Sequence, residues 1–296
     1  MTRPTIITLS SIPPRFDRIG PTLEAIVAQT LPAAEVRLYI PNFYRRFPNW
    51  DGKLPEVPQG VTIHRCEDLG PATKILPACR DLAGQDVDIL FGDDDKRYDQ
   101  DWHGRFKACR ERHPGFCIVE AGETLPDIAD DRRDPSRLPR AARWGRKPIS
   151  YRLRRLLSGF RVKSSIYAQS GFVDILNGHG GVMVRPDWFG PEAFRIPDII
   201  WTVDDPWLSG HLEHAGIPIW LNAGVSRIES FEIGTTHSLL AFCEQGHGRV
   251  EADLAAIDHL RRSLGIWQPC GQPAAPAGHM GRTMKALALR ACHAAG

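Results

Sequence analysis

Val87-Asp88-Ile89-Leu90-Phe91-Gly92-Asp93-Asp94-Asp95 decides how the chain is read. An apolar run stops at a glycine and is followed at once by three carboxylates. The run has the length and the Ile, Leu, Val and Phe content of a strand buried on both faces. The carboxylates then fall at its C-terminal edge, which is where open α/β sheets bind ligands. Three adjacent aspartates repel one another unless positive charge sits among them. A hard divalent cation, Mg²⁺ or Mn²⁺, bridging to substrate phosphates supplies such a charge. The plainer reading is an acidic turn capping the next helix, since Asp is common at N-caps.

The flanking sequence extends the pattern. Thr5–Ser10, Val36–Ile40, Val61–His64 and Phe116–Val119 read as further strands. Helical spacing from about Ile19 to Gln29 and from about Gln100 to Arg112 separates some of them, and Gly70-Pro71-Ala72-Thr73-Lys74 opens a short helix. Strand and helix in alternation predict an α/β fold with a mixed, mostly parallel sheet flanked by helices. Further on, the glycine-rich turn Gly178–Gly181 feeds a short strand, and Trp201-Thr202-Val203-Asp204-Asp205-Pro206-Trp207 leads into a helix reaching Gly216. Ile217–Leu221 reads as a late strand, Ser230–Ser238 as a polar loop and Val250–Leu264 as a helix. Past Trp267 the chain is rich in Pro, Ala and Gly and is expected to be a flexible tail, with a short basic amphipathic piece at Met284–Arg290.

A chain of 296 residues can bury a full core, as one large domain or a domain with a subdomain. The net charge of +2 points to no polyanion, and no nucleic-acid module accompanies the basic residues, so nucleic acid is not expected as a partner. Met1-Thr2-Arg3-Pro4 runs straight into a strand, so no signal peptide is expected, and no stretch has the apolar length of a membrane span. Seven scattered cysteines without zinc-type spacing are expected to be reduced, which points to the cytoplasm.

Composition changes sharply between Ser136 and Val173. That segment holds ten Arg and Lys residues and no acid, and Tyr151–Leu157 is amphipathic if helical. A charge run is usually a solvated loop. The functional readings are a flexible lid, an acceptor-binding surface, or a peripheral contact with anionic lipid at the inner face of a membrane.

Four landmarks together resemble a known family: Thr8-Leu9-Ser10 ending the first strand, Gly70-Pro71-Ala72-Thr73-Lys74, Asp93-Asp94-Asp95, and Asp204-Asp205 before a helix. In these the chain is similar to glycosyltransferases of the GT-A (Rossmann-like) fold, in the style of family 2, with the aspartate triad as a DxD-type metal motif. No Gln-x-x-Arg-Trp motif is present, which sets it apart from processive polysaccharide synthases, and the basic insert has no counterpart in the pattern. The resemblance implies a single domain over 1–268, with a nucleotide-binding half at about 1–120, the basic insert at about 132–165 and an acceptor half at about 166–268, followed by the tail at 269–296. It implies a nucleotide-sugar donor of UDP or GDP type and a glycan or glycolipid acceptor, such as a surface polysaccharide or lipopolysaccharide.

Each landmark also has a chemical reading. Asp93 and Asp95 are candidate ligands for Mn²⁺ or Mg²⁺, which acts as a Lewis acid on the leaving diphosphate. His237, in a polar Gly-Thr-Thr-His-Ser loop, is a candidate additional ligand, although a lone His is more often structural. Lys74, placed in the first turn of a helix, suits a diphosphate. Thr8, Ser10, Arg15, Asp93 and Asp94 join it as candidate donor-binding residues, Asp93 by resemblance at the ribose. Asp205 is the candidate base that takes the acceptor's proton in an inverting reaction, with Asp204 holding it in place or binding acceptor. The base needs a pKa raised by burial or by its acidic neighbour. Trp201 and Trp207 could stack on a sugar, and Gly180 and Gly181 could let one approach the backbone. Two rival functions share these features: a nucleotidyltransferase acting on sugar phosphates, and a carbohydrate- or nucleotide-binding protein without catalysis. The first usually carries a glycine-rich basic loop after its first strand, unlike Ser11-Ile12-Pro13-Pro14-Arg15.

Overall fold

A computed structural model describes residues 3–144, 149–157, 159, 165–223, 225, 229–231 and 248–295. Its centre is an eight-stranded sheet built from β1 (Thr5–Ser10), β2 (Glu35–Pro41), β3 (Val61–Cys66), β4 (Asp88–Phe91), β5 (Cys117–Val119), β6 (Gly171–Val173), β7 (Val182–Val184) and β8 (Ile219–Leu221). The spatial order is β6-β8-β5-β7-β4-β1-β2-β3. Strands β3, β2, β1 and β4 are parallel neighbours, as are β5 and β8. Strand β7 runs antiparallel between β4 and β5, and β6 pairs antiparallel with β8. Six of the eight strands therefore point one way, and the α/β, mixed and mostly parallel sheet expected from the sequence is what forms.

Strand β4 shows why. Its alternate residues face opposite sides of the sheet. Ile89 and Phe91 pack into one core with Ile6, Val119 and Val182, while Leu90 packs into the other with Ile7, Leu9, Ile118 and Met183. Both faces are apolar because both are covered. Helices α1 (Gly20–Val27) and α3 (Trp102–Arg112) bury Leu23, Ile26, Trp102 and Phe106 in the second core. The short α2 (Leu76–Asp81) and α5 (Asp205–His214) supply Leu76, Cys79, Leu208 and Leu212 to the first. Asp88, buried at the start of β4, is balanced by Arg110 at 3.2 Å and Lys107 at 3.8 Å.

Two features depart from the sequence reading. Strand β6 lies inside the acid-free segment, where no strand was expected; Arg140 and Ala141 run beside it, and the nearby Ala142–Arg143 and Tyr167–Gln169 pair antiparallel. The segment after Trp267 is not a featureless tail. Arg282–Ala295 forms α7, which packs on α6 (Arg249–Leu264) and buries Met284, Leu287 and Ala288. The spacing i, i+3, i+4 makes a stripe that meets Ala256 and Leu260, and Thr283 donates to Asp253 at 2.7 Å. Its amphipathic pattern was legible; the partner that orders it was not. A further helix, α4 (Ile149–Leu157), falls within the basic insert. No helix among the described residues is long and apolar enough to cross a membrane.

Candidate functional site

The sheet brings the landmarks to one edge. Parallel pairing of β1 with β4 sets Thr8 opposite Phe91, so the loops Ser11–Arg15 and Gly92–Asp95 leave side by side. Antiparallel β7, with Val182 opposite the same Phe91, begins at that edge, and this delivers the Gly178–Gly181 turn to it. A cleft of about 540 Å³ opens there. Ser10, Arg15, Lys74, Asp93, Asp94, Asp95, Asp204 and Asp205 all border it.

At its floor lies a chain of charge. Lys74 Nζ is 2.7 Å from Asp93 Oδ1 and 2.8 Å from Asp204 Oδ2; Lys74 and Asp204 are buried, and Asp93 is partly open to the cleft. Burial opposes the lysine's charge, but the carboxylates of Asp204, Asp93 and Asp205 outweigh it and hold Lys74 well above its ordinary value. Lys74 in turn overcomes the burial of Asp93 and keeps that acid below the usual carboxylate range. Lys74 does not occupy the first turn of a helix. It ends the 3₁₀ turn Gly70–Lys74, and α2 starts two residues later, so a helix N-terminus lends it no help.

The three triad acids point different ways. Asp94 turns inward: Ser11 Oγ donates to it at 2.5 Å, Arg15 lies 2.6 Å away, and its carbonyl accepts from Thr22. Its burial raises its pKa, with Arg15 pulling the other way. It braces the loop. Asp95 meets Lys96 at 2.7 Å and Arg15 at 4.0 Å. Thr8 is wholly buried and does not border the cleft; its hydroxyl donates to the Lys74 carbonyl at 2.7 Å. The expectation that Thr8 faces a nucleotide is corrected on that ground, because Thr8 fixes the lysine's backbone instead.

The second acidic pair is set by α5. Asp204 stands at the N-cap position but makes no capping bond, since its carboxylate is committed to Lys74. Asp205 accepts from the Gly178 N–H at 2.9 Å and has Arg249 of α6 at 3.5 Å. Burial, and next the Asp204 charge, push Asp205 above the ordinary carboxylate range, with Arg249 and Lys74 opposing. A Cβ on Gly178 would come within 2.7 Å of Lys74 Nζ, so this glycine is needed for the lysine to reach its acids. Gly180 and Gly181 serve packing rather than ligand approach: a Cβ there would meet Ala121 at 2.9 Å and Trp102 at 2.6 Å. Trp201 borders the cleft beneath the Arg45 guanidinium, whereas Trp207 is core and donates to the Ala193 carbonyl.

Sequence reading overlooked several residues of the cleft. His179 follows Gly178, and burial pushes its imidazole down to about 4, so it is neutral at neutral pH. Tyr44, Arg46, Phe47 and Asp68 line the side nearest β2 and β3. Arg249 and Lys96 complete the charge. A glycine-rich turn before a strand was the available signal for His179; nothing local marked Arg249, which is brought in by α6. His237 lies outside the described residues.

The carboxylates of Asp93 and Asp95 are hard oxygen donors beside the cleft, the right chemistry for part of a Mg²⁺ or Mn²⁺ shell. Among the described residues, however, no group of three His, Cys, Asp or Glu side chains is assembled to hold an ion, and each triad acid already faces a lysine or arginine. The fit is therefore to a cation sharing its shell with ligand oxygens, not to a closed protein site.

Fold and site together define an α/β protein with a deep cleft of alternating acids and cations at the C-terminal edge of its sheet. No protein-family model matches the chain, and no curated protein matches it. Among solved structures it is similar to S. aureus TarS 1-349, with 10% identity over 88% of this chain and 72% of that one, at a TM-score of 0.41. The TarS complex with UDP-GlcNAc gives 11% identity, coverage of 88% and 73%, and a TM-score of 0.43. GalNAc-T7 with UDP, GalNAc and Mn²⁺ gives 12% identity and a TM-score of 0.47, over 88% of this chain and 48% of that one, so the chain spans about half its length. Identities and scores at this level carry no inference about activity.

Proposed function

We propose that the cleft moves a sugar from a nucleotide-sugar donor to a hydroxyl acceptor. The observation that carries this reading is the salt-linked run Asp93–Lys74–Asp204 with Asp205 beside it, all in one cleft at the strand edge. A donor needs cationic groups for its diphosphate and an acceptor needs a base. Lys74, Arg15 and Lys96 provide the first, with Ser10 and Asp93 as further donor contacts. Asp205 provides the second.

In this reading Asp205 takes the acceptor hydroxyl's proton as the oxygen bonds to the anomeric carbon. The bond from that carbon to the diphosphate oxygen breaks, and the electron pair leaves with the nucleoside diphosphate. Attack from the face opposite the leaving group inverts the anomeric centre. A pKa above the usual carboxylate range makes Asp205 a stronger base than a free aspartate. Asp204 anchors Lys74 and so sets the distance between the base and the cationic floor. Asp93 and Asp95, with His237 as a third candidate, would hold a divalent cation. Such a cation supplies Lewis-acid stabilisation of the leaving diphosphate. The aromatic rings of Tyr44 and Phe47 and the carboxylate of Asp68 offer a stacking and hydrogen-bonding side for the base.

Thermal shift with UDP, GDP and other nucleoside diphosphates, with and without Mn²⁺, tests the donor site. A rise in melting temperature with at least one nucleotide, larger with Mn²⁺, is expected. No rise with any of them removes the transferase reading.

A further inference from the structure

Helix α4 presents an exposed apolar face. Ile149, Leu153, Leu156 and Leu157 are 81%, 53%, 61% and 78% exposed. Their spacing of i, i+4, i+7 and i+8 gathers them in one stripe of about 100° on the helix surface. Tyr151 sits on the opposite side, is buried, and contacts the Trp144 ring at 6.2 Å. The helix is thus held to the body by its back and turns its apolar stripe outward. Positions 152 and 154 flank the stripe on either side, and both are arginine.

The charge around the stripe says what covers it. Of the ten basic residues between Ser136 and Val173, Arg137, Arg140 and Arg143 pair with Glu213, Asp174 and Glu123. The sequence places seven more, at 146, 147, 152, 154, 155, 161 and 163, in the same acid-free segment. A second copy of the chain would bring two such runs against each other, like charge on like. An apolar stripe within so basic a segment instead matches a bilayer surface, where leucines enter the acyl boundary and basic residues meet anionic headgroups.

We propose that α4 is a docking helix that lies in the interface of an anionic membrane and tethers the protein there. The proposal does not depend on the transferase reading, because it concerns a surface outside the cleft.

Co-sedimentation of the full chain with large vesicles tests it, using phosphatidylcholine alone and phosphatidylcholine with about a third phosphatidylglycerol. Sedimentation is expected only with the anionic vesicles, and weaker at about 0.5 M salt than at about 0.1 M. Leu156→Glu/Leu157→Glu changes only exposed positions and is expected to lower partitioning roughly tenfold or more with the melting temperature unchanged. Arg154→Glu/Arg155→Glu is expected to weaken binding to anionic vesicles as well. Absence of sedimentation with anionic vesicles overturns the proposal, as does full binding by the leucine variant. A wild-type dimer that the leucine variant turns into a monomer in analytical ultracentrifugation, without lipid binding, assigns the stripe to self-association and also overturns it.

Discussion

Lys74 is the residue on which the cleft turns, because it bridges the Asp93 and Asp204 carboxylates. Lys74→Met keeps much of its volume and removes that charge. Two acids then face each other uncompensated, and a loss of about 3 kcal/mol is expected in urea unfolding, together with loss of nucleoside-diphosphate binding. A variant as stable as the parent would contradict that role. Asp205 carries a pH signature. Its folded pKa is raised, so the proton stays on to higher pH than on a free aspartate. The base form therefore grows as pH rises, and kcat/KM should climb on an acid limb placed above the ordinary carboxylate range. The stability effect has the same origin with the opposite sense. A raised acid favours the fold fully below the unfolded pKa, and that contribution is lost as pH rises through the folded one. Asp205→Asn should thus gain stability relative to the parent between about pH 5 and about pH 8, read from melting temperatures. The acids and Lys74 were legible in the sequence because adjacent charges need an explanation wherever they fall. Thr8 and the two packing glycines were misread, because their partners at Lys74, Ala121 and Trp102 are distant in sequence.

At the scale of elements, the strands of the first half could be read from apolar runs and turns, since β1, β4 and β5 are buried on both faces. Strand β6 could not, because it is three residues long and sits in a segment whose charge suggests a loop. Helix α7 is the clearer lesson. Its stripe of Met284, Leu287 and Ala288 has meaning only against Ala256 and Leu260 of α6. The same α6 carries Arg249 to Asp205, and Thr283 of α7 holds Asp253 one turn along from that arginine. Removing 282–295 should cost about 3–5 kcal/mol by exposing these side chains, as measured by urea unfolding. In the proposed reaction it should also lower turnover more than donor affinity, because Arg249 lies beside Asp205, the proposed base. Unchanged turnover would separate α7 from the cleft.

Seen whole, the molecule places every landmark motif within reach of one edge of a single sheet, with β1, β4 and β7 as the strands that converge there. That convergence is why a fold read from alternating strands and helices leads to one candidate cleft. The aromatic and Asp68 side of the cleft depended on how β2 and β3 end, which periodicity does not encode. The charged edge and the exposed stripe of α4 are distinct surfaces, so donor chemistry and membrane docking can fail separately. The most direct test of the central claim is a paired measurement on Asp205→Asn: nucleoside-diphosphate affinity by calorimetry, and transfer from the donor found by thermal shift. The account predicts an affinity close to that of the parent and a transfer rate lower by roughly 10²–10⁴-fold. Transfer at the parental rate with intact binding would contradict it.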